Sequence, residues 1–381
     1  MPERLVWVAI NRRALLHNFR AFRRVVGSDV PLMPILKSNA YGHGITHVAR
    51  ALSRERGLWG FGVASLNEAI ALRNAGVRKR LLVLSYWPQD QAVIAQAIRA
   101  RIRLCVCTQA QLLFLHRAAA RIGLRALVHV KLDTGTSRIG VLAHETSDFF
   151  LRVRRCRNIE VEGIFSHLAE AESADQRRTR HQCSMLTAGL GVAEKVLGTS
   201  LAVHMACTAA LLLHPASRLS LGRLGIGLYG LWPSTAAEKR GRRLRPPMRL
   251  LPVLSWHARL LQVKRVPTGT WVGYARTYRT RRPTTLGTIP VGYWDGLDRR
   301  FSNNGSVLVR GRRCRIVGRV SMNLTMIDMT GIPSVGVGDE VVLLGRQGQS
   351  VISAESLAHA LGTITYEVVT RINPLIPRIP Q

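Results

Sequence analysis

Acidic residues are what this 381-residue chain has least of: 22 Asp and Glu stand against 55 Lys and Arg, a net charge of +33. Lysine is scarce within that excess, occurring only at 37, 79, 131, 195, 239 and 264, so that 49 of the 55 cations are arginine. Long apolar runs are missing too. No stretch approaches the ~18–20 residues a spanning helix needs, and Glu3, Arg4, Arg12 and Arg13 interrupt a secretory leader at the start. A cytoplasmic protein with no membrane partner is the expectation. The six cysteines (105, 107, 156, 183, 207, 314) include no CxxC pair. In "RLCVC" strand alternation puts Cys105 and Cys107 on one face as core residues, so neither a disulfide framework nor a metal site is indicated.

A charge of this sign suits nucleic acid or an anionic surface. The arginines, however, are spread along the chain, with short clusters at 99–103, 151–157, 239–249 and 276–282. No aromatic-rich recognition motif or zinc finger accompanies them. The pattern reads as a basic, well-solvated surface and weighs against nucleic acid as the partner.

What the chain does have is alternation. Strand-like runs at 31–37, 59–64, 80–86, 103–107, 126–132, 160–166, 201–205 and 218–223 are separated by helical patterns such as 66–76, 109–122 and 178–197. Eight strand–helix units predict an α/β fold, a (β/α)8 barrel of the TIM type rather than a doubly wound sheet. "VWVAI" and "RRALLHNFRAFRRVV" read as a strand and helix leading into it. The Pro-bearing, charged segment "EKRGRRLRPPMR" then marks a connector, after which strand follows strand with turn signals. The expected division is a barrel over 1–245 and an all-β domain over 246–381.

Active sites of such barrels lie where the strands end, and polar residues converge there. Lys37 closes the first run, Lys131 and Asp133 the fifth with Arg138 beyond, His167 the sixth, His204, Cys207 and Thr208 the seventh, and Arg223 the eighth. An amine can lose its proton and attack a carbonyl, whereas a guanidinium effectively never does. Lys37 is therefore a candidate Schiff-base former. Thr208 and the Gly225–Ile226 turn fall after strands 7 and 8, where these barrels commonly hold a phosphate. A Schiff-base lysine with a phosphate pocket points to pyridoxal 5'-phosphate, with Arg223 placed to face the pyridine nitrogen. An arginine there discourages protonation of the ring and favours proton shuttling.

Seven segments in order, "KSNAYGHG", "KLDTGTSRIG", "FSHLAEAE", "RLGIGLYG", "VGYARTY", "VGYWDGLDRR" and "VGRVSMN", resemble the motifs of alanine racemase, a family of barrel enzymes with a C-terminal β domain. The resemblance covers essentially the whole chain. It implies interconversion of L- and D-alanine with pyridoxal phosphate, by two bases on opposite faces of the α-carbon, supplying D-alanine for cell-wall peptidoglycan. Carried over by motif, Lys37 holds the cofactor and is one base; Tyr274 is the other, acting on the partner subunit's cofactor in a homodimer. Tyr41, His167, Thr208, Arg223, Gly225 and Ile226 are implied cofactor contacts. Arg138 and Met322 are implied substrate contacts, with Lys131 as a carbamylated lysine that orients Arg138. Tyr293, Arg299, Arg319, Glu172 and Asn323 match the substrate access channel.

Three positions depart from the family pattern: Asn323 where Asp is usual, Cys207 where Asn is common, and Pro374 near a tyrosine position. The loss of a carboxylate at Asn323 predicts a more positive channel and a choice relaxed toward serine or another small amino acid. A racemase of the same fold with such a substrate is the alternative reading. A basic protein that keeps the fold without catalysis, or binds nucleic acid, is the remote one, since it predicts decay of these positions.

Overall fold

The computed structural model describes residues 4–173 and 175–381, which divide into two compact units. One comprises residues 14–40 and 45–251, the other residues 1–13, 41–44 and 252–381.

The first unit is the expected barrel. Its parallel strands are β1 (Leu32–Pro34), β2 (Gly60–Ser65), β3 (Arg80–Tyr86), β4 (Arg103–Val106), β5 (Ala126–Asp133), β6 (Ile159–Phe165), β7 (Ala202–His204) and β8 (Gly222–Leu224). Neighbours pair in sequence order from β2 to β7, and β8 pairs with β1. Bridges from Leu32 to Leu58 and from Ile35 to Gly62 join β1 to β2. Backbone bonds from Ser220 to Val203 (3.2 Å) and Arg223 to Ala206 (2.9 Å) close the ring between β7 and β8. Helices cover the outside, so a central strand such as β5 is buried on both faces and reads as a near-continuous apolar run.

Several of the helices begin where the chain supplies a side-chain cap. Ser65 opens helix Leu66–Asn74 with a capping box to Glu68, Asp90 caps Gln91–Arg99, and Thr108 caps Gln109–Arg121. Each cap is worth about 1 kcal/mol. Each also fixes where a strand-end loop turns back.

Polar groups inside the barrel lie on rows set by strand register. Cys105, His129, Gly163 and Ala202 form one row across β4 to β7. A Cβ at Gly163 would stand 2.8 Å from His129 Nδ1, so only glycine leaves the imidazole room. His129 Nδ1 then pairs with His204 Nε2 at 3.1 Å. Below it Glu162 receives a fork from Arg103, at 2.6 and 3.0 Å. Burial raises the Glu162 carboxyl, but the Arg103 fork outweighs it and holds the pKa down at about 2. Burial keeps His129 below its usual range, hence neutral.

Both shifts act in the same direction on stability. Below the ordinary histidine pKa of 6.5 the unfolded chain takes up a proton that His129 refuses, and Glu162 contributes above 4.5 and is lost as pH falls through 2. Glu162→Gln should therefore cost about 3 kcal/mol at pH 7, leaving Arg103 badly paired. It should also flatten the dependence of Tm on pH between 4.5 and 2, as read from thermal melts across that window.

The second unit is built on a ten-stranded sheet. Its order runs from Gln262–Val266 through Thr284–Ile289, Thr325–Asp328, Arg312–Ile316, Ser306–Val309, Glu340–Gln347 and Leu254–Arg259. Here the initial strand differs from expectation. Val6–Ile10 does not lead into the barrel; it pairs antiparallel with Leu254–Arg259 and parallel with Arg378–Pro380. Its five residues alternate too weakly to reveal which sheet they join. That choice is made by partners about 250 and 370 residues away. No helix among the described residues is long and apolar enough to cross a membrane.

Candidate active site

The lysine of the opening motif does not sit on a strand. Strand β1 ends at Pro34, and Ser38, Asn39, Ala40 and Tyr41 all take left-handed backbone angles, with φ between 54° and 56°. A left-handed turn costs roughly 1–2 kcal/mol per non-glycine residue, so it persists only where neighbours enforce it. Glu68 does part of this: its Oε1 accepts from the Ser38 N–H at 2.6 Å, while Oε2 accepts from Ala64 and Ser65. Asn39 Oδ1 accepts from the Ile45 N–H at 2.9 Å. The carboxylate that caps a helix thus also shapes the Lys37 turn.

Burial lowers the Lys37 pKa, and the positive charges of Arg138 and Arg223 lower it further, with Glu68 partly opposing them. These are the conditions for a lysine that acts as an amine. Lys131 is buried on β5 and is likewise lowered, by burial first and then by Arg138 and Arg223. Arg223 is buried within β8. Its Nη2 donates to the carbonyls of Ser166 and Met205, both at 2.6 Å, and lies 3.2 Å from His167 Nδ1. Burial, then the charges of Arg223, Arg138, Lys131 and Lys37, push His167 down to about 3. A neutral ring accepting at Nδ1 carries its proton on Nε2.

Phe165 organises this layer. Register places Lys131, Phe165 and His204 side by side on β5, β6 and β7. The phenyl ring stacks on His204 at 4.8 Å, with the Lys131 ammonium 5.7 Å and the Arg223 guanidinium 5.6 Å from its centroid. Cations over an aromatic face are attracted to it, so an apolar residue helps hold two charged groups.

Asp133 proves to be a scaffold. Its Oδ1 accepts from the N–H groups of Gly135, Thr136 and Ser137, and Oδ2 from that of Arg138, all within 3.1 Å. Burial raises the carboxyl, but these four donors outweigh it and hold the pKa low. Gly140, at φ 146°, lets the loop return within 2.4 Å (Cβ position) of the Asp133 nitrogen. The cage sets where Arg138 leaves the backbone. Asp133→Ala should cost about 2 kcal/mol and lower kcat/KM about tenfold, with Asp133→Asn intermediate because its single oxygen still accepts; steady-state kinetics and melting curves check both.

Thr208 Oγ1 accepts from Gly225 N–H (3.0 Å) and Gly227 N–H (3.4 Å), tying the ends of β7 and β8 together at Gly225–Ile226. Gln182, in helix Arg177–Leu197, was not legible as a site residue. It donates to the His167 carbonyl at 3.1 Å and to Thr134 at 3.2 Å, and accepts from Ala169 N–H at 3.0 Å. No motif marks it, because its partners lie 13 to 48 residues away. Glu172 is exposed in this chain, yet partial desolvation by its neighbours still raises its carboxyl. Cys207 is half-buried before Thr208, and burial raises its thiol.

The remaining motif residues belong to the second unit. Tyr41 packs there against Tyr366, ring centroids 6.1 Å apart. Tyr274 is 73% exposed on a short turn entered by Gly273, where a Cβ would approach the Arg319 nitrogen at 3.3 Å. Tyr293 N–H donates to the Ser321 carbonyl and Trp294 N–H to that of Met322, both at 3.0 Å. Tyr274, Tyr293, Arg319, Met322 and Asn323 therefore come from three adjacent loops of one unit. Arg299 begins the turn Arg299–Phe301, and the Ser302 hydroxyl reaches back to its carbonyl. Pro374 lies in a loop fixed by Asn373, which donates to the Trp294 carbonyl at 3.1 Å.

A parallel barrel carrying a lysine amine, two arginines and a neutral histidine, together with a separate sheet-rich domain, defines the class as a two-domain barrel protein with the groups for proton transfer. Residues 10–233 match the N-terminal domain of alanine racemase and residues 253–380 its C-terminal domain. The chain belongs to the alanine racemase family. It is 38% identical over 389 residues to the alanine racemase of Desulfosudis oleivorans, covering 100% of this chain and 97% of that one. Its fold is similar to that of alanine racemase from the D-cycloserine producer Streptomyces lavendulae, with a TM-score of 0.90 at 33% identity over 100% and 98% of the chains. It is also similar to the Bacillus anthracis alanine racemase solved with bound L-Ala-P: TM-score 0.89, 33% identity, 99% and 95% covered. The racemase reading is the one these relatives favour over a different or broader substrate.

Proposed function

We propose that the chain interconverts L- and D-alanine with pyridoxal 5'-phosphate, through two bases, Lys37 and Tyr274. The observation that carries this is the Lys37 amine, lowered by burial and set beside Arg138 and Arg223 at the barrel mouth. The donor set fits the cofactor: an amine for an aldehyde, the Arg223 guanidinium for a pyridine nitrogen, and Tyr41, Thr208, Gly225 and Ile226 for a phosphate. Pyridoxal phosphate, when bound, supplies the electron sink that makes a substrate α-proton removable.

The protein's own groups do the rest. Lys37 holds the cofactor and takes or returns a proton on one face; Tyr274 serves the other. Arg138 draws the substrate carboxylate, positioned by the Asp133 cage, and Met322 bounds the substrate. Arg223 opposes ring protonation, and neutral His167 passes a hydrogen bond from it without competing for charge. A lowered Lys131 amine is the form that adds carbon dioxide, which supports a carbamate there that steadies Arg138. Tyr293, Arg299, Arg319, Glu172 and Asn323 line the approach. Tyr274, exposed on its own subunit, fits a homodimer in which each tyrosine completes the partner's site. The setting is cytoplasmic, with D-alanine passed to cell-wall synthesis.

Incubation with a panel of L-amino acids followed by chiral chromatography tests the reading. D-alanine should appear first and fastest; preference for serine would move the assignment to the broader-substrate alternative, and no racemisation of any amino acid would end it.

A further inference from the structure

The opposite end of the barrel carries chemistry that racemisation does not use. A pocket of about 700 Å³ opens there at the starts of β3, β6 and β7, within the size range of small-molecule sites. Four arginines line it, Arg80, Arg125, Arg154 and Arg157, together with Trp59 and the glutamates Glu160 and Glu162. Both glutamates are already engaged. Arg103, from behind the wall, forks onto Glu162, and Arg125 lies 3.4 Å from Glu160. Arg80 lies over the Trp59 ring at 5.5 Å rather than on an acid. Arg154 and Arg157 have no acidic partner among the described residues.

The inner wall points the same way. His129 is 0% exposed and lines the pocket, yet its Nε2 makes no hydrogen bond; Glu162 Oε2 lies 3.9 Å off, beyond hydrogen-bond reach. A buried polar atom without a partner is uncommon. Three guanidinium groups without a counter-carboxylate, converging on one concavity, repel one another unless an anion joins them. Each guanidinium offers a planar fork that matches one phosphoryl group in two hydrogen bonds. A single phosphate would meet one or two of them; a chain of phosphates can meet all three.

We propose that this pocket binds an oligophosphate anion, either inorganic triphosphate or the triphosphate of a nucleotide. The two sources share the recognised group and differ in whether a base and ribose add contacts. A chain at +33 attracts polyanions everywhere on its surface, so the test must separate a site from a surface.

Isothermal titration calorimetry on the full-length holoenzyme at 0.15 M salt does so, with inorganic triphosphate, ATP, inorganic phosphate and citrate as probes. Triphosphate should bind one per chain. The exposed pair Arg154→Ala/Arg157→Ala should weaken it at least about tenfold while racemase turnover and the near-ultraviolet circular dichroism stay unchanged. A control pair on another basic region, Arg240→Ala/Arg245→Ala, should leave binding as it was. ATP binding as tightly as triphosphate identifies the phosphate chain as the ligand; ATP binding tenfold tighter identifies the nucleotide. Several anions per chain, equal losses in both variant pairs, no loss at Arg154 and Arg157, or citrate binding as tightly as triphosphate would each overturn the proposal.

Discussion

Lys37→Arg should retain the positive charge and lose the reaction. Turnover of L-alanine to D-alanine, followed by chiral chromatography, is expected to fall at least about 10³-fold, the scale of a missing base and nucleophile. The reason is chemical. Burial lowers the Lys37 amine, and the positive charges of Arg138 and Arg223 lower it further, which favours its unprotonated form. The same surroundings cannot deprotonate an arginine. Borohydride reduction of the holoenzyme should tag the peptide bearing Lys37 and leave the variant untagged. Substantial turnover by Lys37→Arg, or a tag on another lysine, would remove Lys37 from its role. Only five other lysines compete for that tag, which makes the readout clean.

Tyr274→Phe should separate two events that are joined in the parent enzyme. Racemisation is expected to fall about 10³-fold, because one face of the α-carbon loses its base. Exchange of the α-proton with deuterated solvent should survive for one enantiomer, carried by Lys37 on its own face, and vanish for the other. A single-base mechanism predicts instead that both exchanges persist together. The substitution is safe for folding, since the side chain is exposed and the change removes one hydroxyl. Retained racemisation would show that another group supplies the second proton.

The parts of this protein that were readable in one dimension are those set by near neighbours. Runs such as "ALVHVKLD" and "RLLVLSY" announce buried parallel strands, because a strand covered on both faces must be apolar on both. Asp90 and Thr108 announce helix starts through side chains that reach three residues along. Lys37 stood out because an arginine-rich chain retained an amine at a strand end. The type of chemistry was legible for the same reason: it depends on what a residue is.

What escaped depends on where distant residues meet. The left-handed turn at Ser38–Tyr41 gave no local signal, since none of its residues is glycine; Glu68, thirty residues on, enforces it. Asp133 stood in the sequence only as a polar residue at a strand end, and the folded loop turned its oxygens onto four backbone N–H groups. Phe165 became a platform for two cations, and Gln182 a brace for His167, through register and packing across the barrel. Val6–Ile10 joined a sheet whose other strands begin some 250 residues later. The sequence by itself determined the barrel, the second β domain and the amine. The tertiary structure alone decided that amine's backbone, its charge environment and the gathering of unpaired arginines at the far end. Strand composition is fixed by burial, which each residue carries in its own chemistry, whereas pKa values and anion sites arise from distances between residues that only closure of the chain creates.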